Sequence, residues 1–174
     1  ASSVELASYY ERHMALRGGV AHGWVGREAP RALRSGVVQV GVGKSAYFAL
    51  LADGSLITWT DNADAARTLM QGVARFAAGD SGWFAIDRTA VLWYGQGSAA
   101  PARVAGDVGG GVVEACIGDS ADYFVKRDGT LYVKGLAHRG QYGDGKLTAT
   151  PDFVATARNA GITRRDAPQL ARRV

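Results

Sequence analysis

The feature that most constrains this chain is that it repeats itself. Gly111-Val112-Val113, Gly118-Asp119-Ser120 and Asp128-Gly129-Thr130-Leu131 reappear without a gap 75 residues earlier, as Gly36-Val37-Val38, Gly43-Lys44-Ser45 and Asp53-Gly54-Ser55-Leu56. A further copy lies 36 residues after Gly36: Gly72-Val73, Gly79-Asp80-Ser81 and Phe84-Ala85-Ile86 match Gly36-Val37, Gly43-Lys44-Ser45 and Phe48-Ala49-Leu50. One residue then drops out, so that Val91-Leu92-Trp93-Tyr94-Gly95 meets Leu56 to Thr60 and Leu131 to Gly135. Self-similarity at this period marks an array of small units, none of which can bury its own apolar face alone.

Inside each unit the pattern is that of strands. Val38, Val40 and Val42 alternate with Val37, Gln39 and Gly41, Ala46 to Leu51 is a second run, and Leu56 to Trp59 a third. Asp53-Gly54 and Asp128-Gly129 separate apolar runs and read as type I′ hairpin turns, which need positive φ at both central residues. The second unit has Arg88-Thr89-Ala90 there, a shorter turn of unassigned type. Short strands at regular spacing with glycine turns point to an all-β protein, and the period suits a propeller blade better than a sandwich.

The order Gly-Val-Val-x-x-x-x-Gly-x-Ser, an apolar strand, Asp-Gly-x-Leu-Tyr-Val-x-Gly, then Arg139-Gly140-Gln141-Tyr142-Gly143-Asp144-Gly145 and Pro151, resembles the repeat of the regulator of chromosome condensation family of β-propellers. The third unit carries the fullest match. The first keeps Trp59 where the family's Trp-Gly sits, with Thr60 for glycine, and the second offers Tyr94-Gly95; both lack the Gly-Gln-x-Gly-x-Gly tail. Counting His22-Gly23-Trp24 and Pro30 as the end of a degraded preceding unit, the resemblance covers Gly23 to Ala157. It implies a β-propeller, in a family used for exchange factors, enzyme inhibitors and general protein docking, so it speaks to fold more than to function.

Outside the repeats the text changes. Val4, Leu6, Ala7, Tyr10, Met14 and Ala15 recur at helical spacing from a Ser3 cap until Gly18-Gly19 stops the run, which predicts a short amphipathic helix over Ser3 to Arg17. Residues 1–19 are then an N-terminal helix, 20–157 a repeat array with units near 36–71, 72–110 and 111–157, and 158–174 a basic tail. The start Ala1-Ser2-Ser3 is of the kind signal peptidase leaves, and suggests a periplasmic or secreted protein of bacterial type.

Chemistry-bearing motifs dissolve on inspection. Gly79-Asp80-Ser81-Gly82 imitates the nucleophile segment of chymotrypsin-like proteases, yet it stands in register with Gly43-Lys44-Ser45 and Gly118-Asp119-Ser120, so it reads as a repeated turn before a strand. Gly140 to Leu147 imitates a phosphate loop, with Leu147 where a magnesium-ligating hydroxyl belongs. Asp61 to Asp64 lacks the glycine and distal glutamate of a calcium loop, and His13, His22 and His138 have no metal-ligand spacing. Single Cys116 falls in a strand and reads as a small buried hydrophobe. These residues predict no enzyme, no cofactor and no metal site.

The net charge of +4 is carried by Arg27, Arg31 and Arg34 and by five arginines from Arg158 onward, a layout of basic arms without the interleaved aromatics of a nucleic-acid face. Three blades also fall short of the roughly four to eight that close a propeller, which leaves sheet edges for another chain to cover. The expected function is therefore a non-enzymatic protein–protein interaction module, a subunit of a larger assembly, whose partner is another protein chain or a second copy. His138, Arg139, Gln141 and Tyr142 in the repeat tail, with Trp24 and Tyr10, are the candidate partner-binding residues. A propeller-type enzyme inhibitor, and a carbohydrate- or envelope-binding domain using Trp24, Trp83 and Trp93 on one face, are the alternatives.

Overall fold

The computed structural model describes residues 4–60, 62–97, 99–136, 142 and 150–155. Among them are four antiparallel four-stranded sheets, each with its strands in chain order, and no α-helix. The first holds β1 (Glu5–Tyr9), β2 (Arg12–Arg17), β3 (Val20–Val25) and β4 (Arg31–Ser35). The second holds β5 (Val37–Val42), β6 (Tyr47–Leu51), β7 (Leu56–Trp59) and β8 (Arg67–Met70), and the third β9 (Val73–Ala78), β10 (Trp83–Asp87), β11 (Leu92–Gly95) and β12 (Ala102–Arg103). The fourth holds β13 (Val112–Ile117), β14 (Ala121–Lys126), β15 (Leu131–Gly135) and β16 (Thr150–Ala155). Leading strands β1, β5, β9 and β13 all border one open pocket, so the sheets stand side by side as successive blades of a β-propeller.

The expected helix over Ser3 to Arg17 is overturned: its described part is the hairpin β1–β2, and the residues taken as a fragment around His22-Gly23-Trp24 complete a first blade. The physical reason is a two-residue link at Tyr10-Glu11, which joins two period-2 patterns so that their apolar positions coincide with helical spacing. Gly18 and Gly19, read as a helix stop, form the β2–β3 turn with φ of 58° and 77°, the type I′ requirement.

The Asp-Gly pairs do join antiparallel strands, but not as type I′. Gly54 N–H donates to Leu51 O and Leu51 N–H to Ser55 O, both at 2.9 Å, with Gly54 at φ 92°. That is a type I turn followed by a glycine bulge, with Asp53 Oδ1 accepting from Ser55 N–H. Gly129 at φ 88° repeats it. The second unit's turn proves equally long: Ala90 N–H donates to Asp87 O and Asp87 N–H to Val91 O, with Ala90 at φ 64° in the glycine's place. No residue therefore drops out, and Leu92 is the counterpart of Leu56, both fully buried. The dropped residue mattered because a one-residue slip sends every side chain to the opposite face.

These turns also connect the blades. Val37, Val73 and Val112, which open β5, β9 and β13, donate their N–H groups to the carbonyls of Gly19, Gly54 and Ala90 in the preceding blade at 2.9–3.0 Å. Since Ala90 holds a left-handed conformation that costs a non-glycine residue about 1–2 kcal/mol, Ala90→Gly is expected to stabilise the chain by about 1 kcal/mol. Gly129→Val is expected to destabilise it by about 1–3 kcal/mol. Urea unfolding of both variants checks the pair.

Apolar clusters fill the space between blades. Met14, Leu16 and Ala21 meet Val40, Val42, Ala49, Ile57 and Trp59; Phe48, Leu50 and Leu56 meet Phe76, Trp83 and Ala85; Phe84, Ile86 and Leu92 meet Val112 and Phe124. Of the strand positions aligned by the repeat, Val125 is also buried, while Ile117, Tyr123 and Leu131 are half-buried.

Candidate protein-interaction surface

Strand registers define equivalent positions on every blade. On the face turned to the preceding blade stand Val40, Val42, Tyr47, Ala49, Ile57 and Trp59 in the second sheet, and Phe76, Ala78, Trp83, Ala85, Trp93 and Gly95 in the third. The same positions of the first sheet are Leu6, Ser8, His13, Ala15, His22 and Trp24. Since Met14, Leu16 and Ala21 point the other way into the second sheet, this is the outer face of the first blade. Val40 and Phe76 are 4% and 5% exposed, whereas Leu6 at their position is 72% exposed. His13 stacks on Trp24 with ring centroids 5.2 Å apart and planes at 26°, the arrangement of Tyr47 and Trp59 at 5.8 Å and 25° inside the chain. Ser8 Oγ lies 2.9 Å from His13 Nδ1 and fixes that ring.

The structure distributes the sequence-predicted residues unevenly. Trp24 belongs to this outer face, half-buried, and Tyr10 stands 86% exposed at the β1–β2 tip, at φ 50° with its ring against Tyr9. Tyr142 is buried against Ala121 and Val133, and its hydroxyl donates to Gly135 O at 2.8 Å, so it covers part of the fourth blade's outer face. His138, Arg139 and Gln141 lie outside the described residues, as do Asp61, the glycines of the 140–147 stretch and the basic tail. Leu6 and His13 are absent from the candidate contact residues read from sequence, because their partners in register become apparent only once β1 and β2 are strands.

The protease look-alike falls into place as a turn that three blades share. Gly43, Gly79 and Gly118 each donate an N–H across a four-residue turn, to Ala46, Gly82 and Ala121 carbonyls at 2.9–3.1 Å. Ser81 Oγ is buried without a partner among the described residues, so a backbone bond and not the serine closes this turn. Between the first two turns opens a cleft of about 450 Å³, bordered by Lys44, Arg67, Asp80 and Gln96. Among the described residues no group of three or more His, Cys, Asp or Glu side chains could hold a metal ion. Cys116 is half-buried in β13, and burial, with Asp122 and Glu114 nearby, pushes its thiol above the ordinary value.

A polar tie joins the first blade to the third. Tyr9 O–H donates to Asp80 Oδ1 at 2.8 Å, and Lys44 Nζ lies 3.4 Å from the same oxygen. The bond to Asp80, with burial, pushes the phenol from 10.0 up to about 12, while the Tyr9 hydroxyl and then Lys44 hold the Asp80 carboxyl below its ordinary 3.8. A raised tyrosine contributes stability that is complete below pH 10.0 and is lost as pH rises through about 12. A lowered aspartate contributes stability present above 3.8 and lost as pH falls through its lowered value. Tyr9→Phe is therefore expected to destabilise the chain between those limits and to match the parent outside them, as thermal unfolding across pH would record.

No protein-family model and no curated protein sequence matches this chain. Solved structures do. Prp20p of Saccharomyces cerevisiae superposes with a TM-score of 0.75 at 14% identity, covering 92% of this chain and 52% of that one. Human WBSCR16 superposes at 0.70 with 19% identity, covering 88% and 53%. PorZ of Porphyromonas gingivalis, a surface component of a type-IX secretion system, reaches 0.59 at 17% identity, covering 86% and 21%. The chain thus has the fold of a β-propeller like these and spans about half the length of the first two.

Proposed function

We propose that this chain is a non-enzymatic protein–protein interaction module, a subunit of a larger assembly, and that the outer face of its first blade is the contact surface. The observation that carries the reading is Leu6: it is 72% exposed at a register position where Val40 and Phe76 are buried by a neighbouring sheet. With Ala15, Trp24 and the exposed Tyr10 it makes an apolar surface flanked by His13 and His22, the composition of an interface core with polar groups around it. Prp20p, a protein of the same fold, is described with binding to Gsp1p and histones, and in complex with Kap60, which supports protein binding as a use of this architecture.

The carbohydrate-binding alternative finds no such support, since Trp83 is buried between the second and third blades and Trp93 faces the same interface. A pull-down from the native source with the parent chain and with Leu6→Asp tests the proposal. The expected result is a specific partner retained by the parent and lost by the variant, with unfolding curves unchanged. Equal retention by both would refute the first blade as the contact surface.

A further inference from the structure

The cleft between the second and third blades stands apart from the first-blade surface, and two of the residues lining it hold donors with nothing to bond. Trp83 is 1% exposed, yet its Nε1–H has no acceptor among the described residues, and neither has the buried hydroxyl of Ser81. Both residues line the cleft. Most buried polar groups in folded chains are paired, because a buried donor left without an acceptor is costly. The indole nitrogen comes to lie here because of Gly95. Trp83 stands opposite that glycine in register, and a Cβ at Gly95 would be 2.1 Å from Trp83 Cζ2 and 2.8 Å from Nε1. The second blade pairs Tyr47 with Trp59 at the same register. With glycine in place of the second ring, the indole lies against the end of β11, where Gln96 and Gly97 continue as cleft wall.

The rim is cationic, since Lys44 and Arg67 outnumber Asp80 among the described lining residues. Arg67 Nη2 donates to Gly97 O at 2.6 Å, which ties β8 to the third blade and spends one of the five donors of a guanidinium. Lys44 Nζ lies 3.4 Å from Asp80 Oδ1 on a side chain 70% exposed, so its ammonium keeps further donors. We infer that this cleft binds a carboxylate, which Lys44 and Arg67 hold at the rim and which accepts from Trp83 Nε1–H and Ser81 Oγ–H below. Both of those donors are covered, so binding turns the Ser81 hydroxyl about χ1 and moves the indole edge towards the cleft. One excess positive charge matches a carboxylate and not a phosphate monoester, which carries about −1.5 to −2. At about 450 Å³ the cleft falls within the roughly 300–1,000 Å³ of small-ligand sites. A free small acid and an acidic side chain of another protein share this chemistry.

Heteronuclear NMR of the full chain reads the Trp83 indole N–H directly while butyrate, or a blocked tripeptide with one central glutamate, is added. The expected result is a downfield shift of that resonance that saturates with at least one of the two, and no saturable shift with butyramide or inorganic phosphate. Tighter binding of butyrate supports the inference with a free acid as ligand, and tighter binding of the tripeptide supports it with an acidic protein segment. Arg67→Gln and Lys44→Gln should each weaken binding about tenfold, the loss of one charge-assisted hydrogen bond. Ser81→Ala should weaken it as well, with the unfolding curve showing that the chain still folds. A Trp83 resonance that stays in place with both carboxylates overturns the inference, as does a shift that Arg67→Gln and Lys44→Gln leave unchanged or that phosphate reproduces. Leu6→Asp should bind the probes like the parent, so failure of this site and failure of the first-blade surface are told apart.

Discussion

Truncating Phe84 to alanine is expected to destabilise the chain by about 3–5 kcal/mol, the range for emptying a fully buried aromatic site. Phe84 is completely buried between the third and fourth blades, with its ring centroid 5.7 Å from Tyr94 and 5.9 Å from Phe153. Phe153 in turn meets Phe124 edge-on at 4.7 Å, and Phe124 stacks on Tyr132 at 4.9 Å. The truncation thus removes one member of a connected aromatic array that no single blade could build. Denaturant unfolding measures the loss, and a cost under about 1 kcal/mol, as for an exposed position, would mean that the third and fourth blades do not pack through this face.

The second large effect comes from Lys134, whose ammonium sits among the same rings, 4.7 Å from the Tyr94 centroid and 4.9 Å from that of Phe153. It also lies 3.7 Å from Asp122 Oδ2, and Asp122 is 8% exposed. Burial pushes the Asp122 carboxyl above its ordinary 3.8, and Lys134 opposes that push by charge and hydrogen bonding. Lys134→Met leaves a buried carboxylate unpaired, for which the expected cost at neutral pH is about 3–5 kcal/mol. The sign with pH follows from the raised pKa: the folded state holds its proton where the unfolded state has lost it, so stability falls as pH rises above 3.8. The variant should accordingly recover part of its deficit on acidification, and Lys134→Met/Asp122→Asn should recover most of it at every pH.

Much of the blade array was legible in the sequence, and the reason lies in the glycines. Gly36, Gly72 and Gly111 share φ of 72–73°, and their carbonyls accept the N–H groups of Ala52, Arg88 and Arg127 at 2.9–3.1 Å, so each unit must open on a residue without Cβ strain. A Cβ on Gly79 would stand 2.5 Å from Ile117 Cγ2 in the next blade, which fixes the second repeated glycine by close approach. Where those constraints lapse, the repeat disappears from the text. The first blade uses Tyr10-Glu11 in place of the Gly-x-Ser turn and Gly18-Gly19 in place of the bulged turn, and its Met14 and Ala21 stand where Phe48 and Leu56 stand in the second. Its fold is recoverable only from cross-strand register.

The surface was less legible for the same reason. Tyr142 was expected at an exposed rim because the repeat tail is polar and glycine-rich, yet its ring finds Val133 and its hydroxyl finds Gly135 O. Trp24 reads from the sequence as a candidate partner-binding residue at the end of a degraded unit, while His13, on which it stacks, falls in the expected helix. Only a register that places His13 opposite Trp24, as Tyr47 lies opposite Trp59, shows the two as one surface.

Hydrogen exchange of the chain, alone and in its native assembly, tests most directly the claim that the outer face of the first blade is an interface. The account predicts that backbone amides of β1 and of the β1–β2 tip, from Glu5 to Arg12, slow on assembly while those of β6 and β10, already covered on both faces, stay as they are. Unchanged exchange across Glu5 to Trp24, with protection gained instead at the Gly43–Ala46 and Gly79–Gly82 turns, would contradict it.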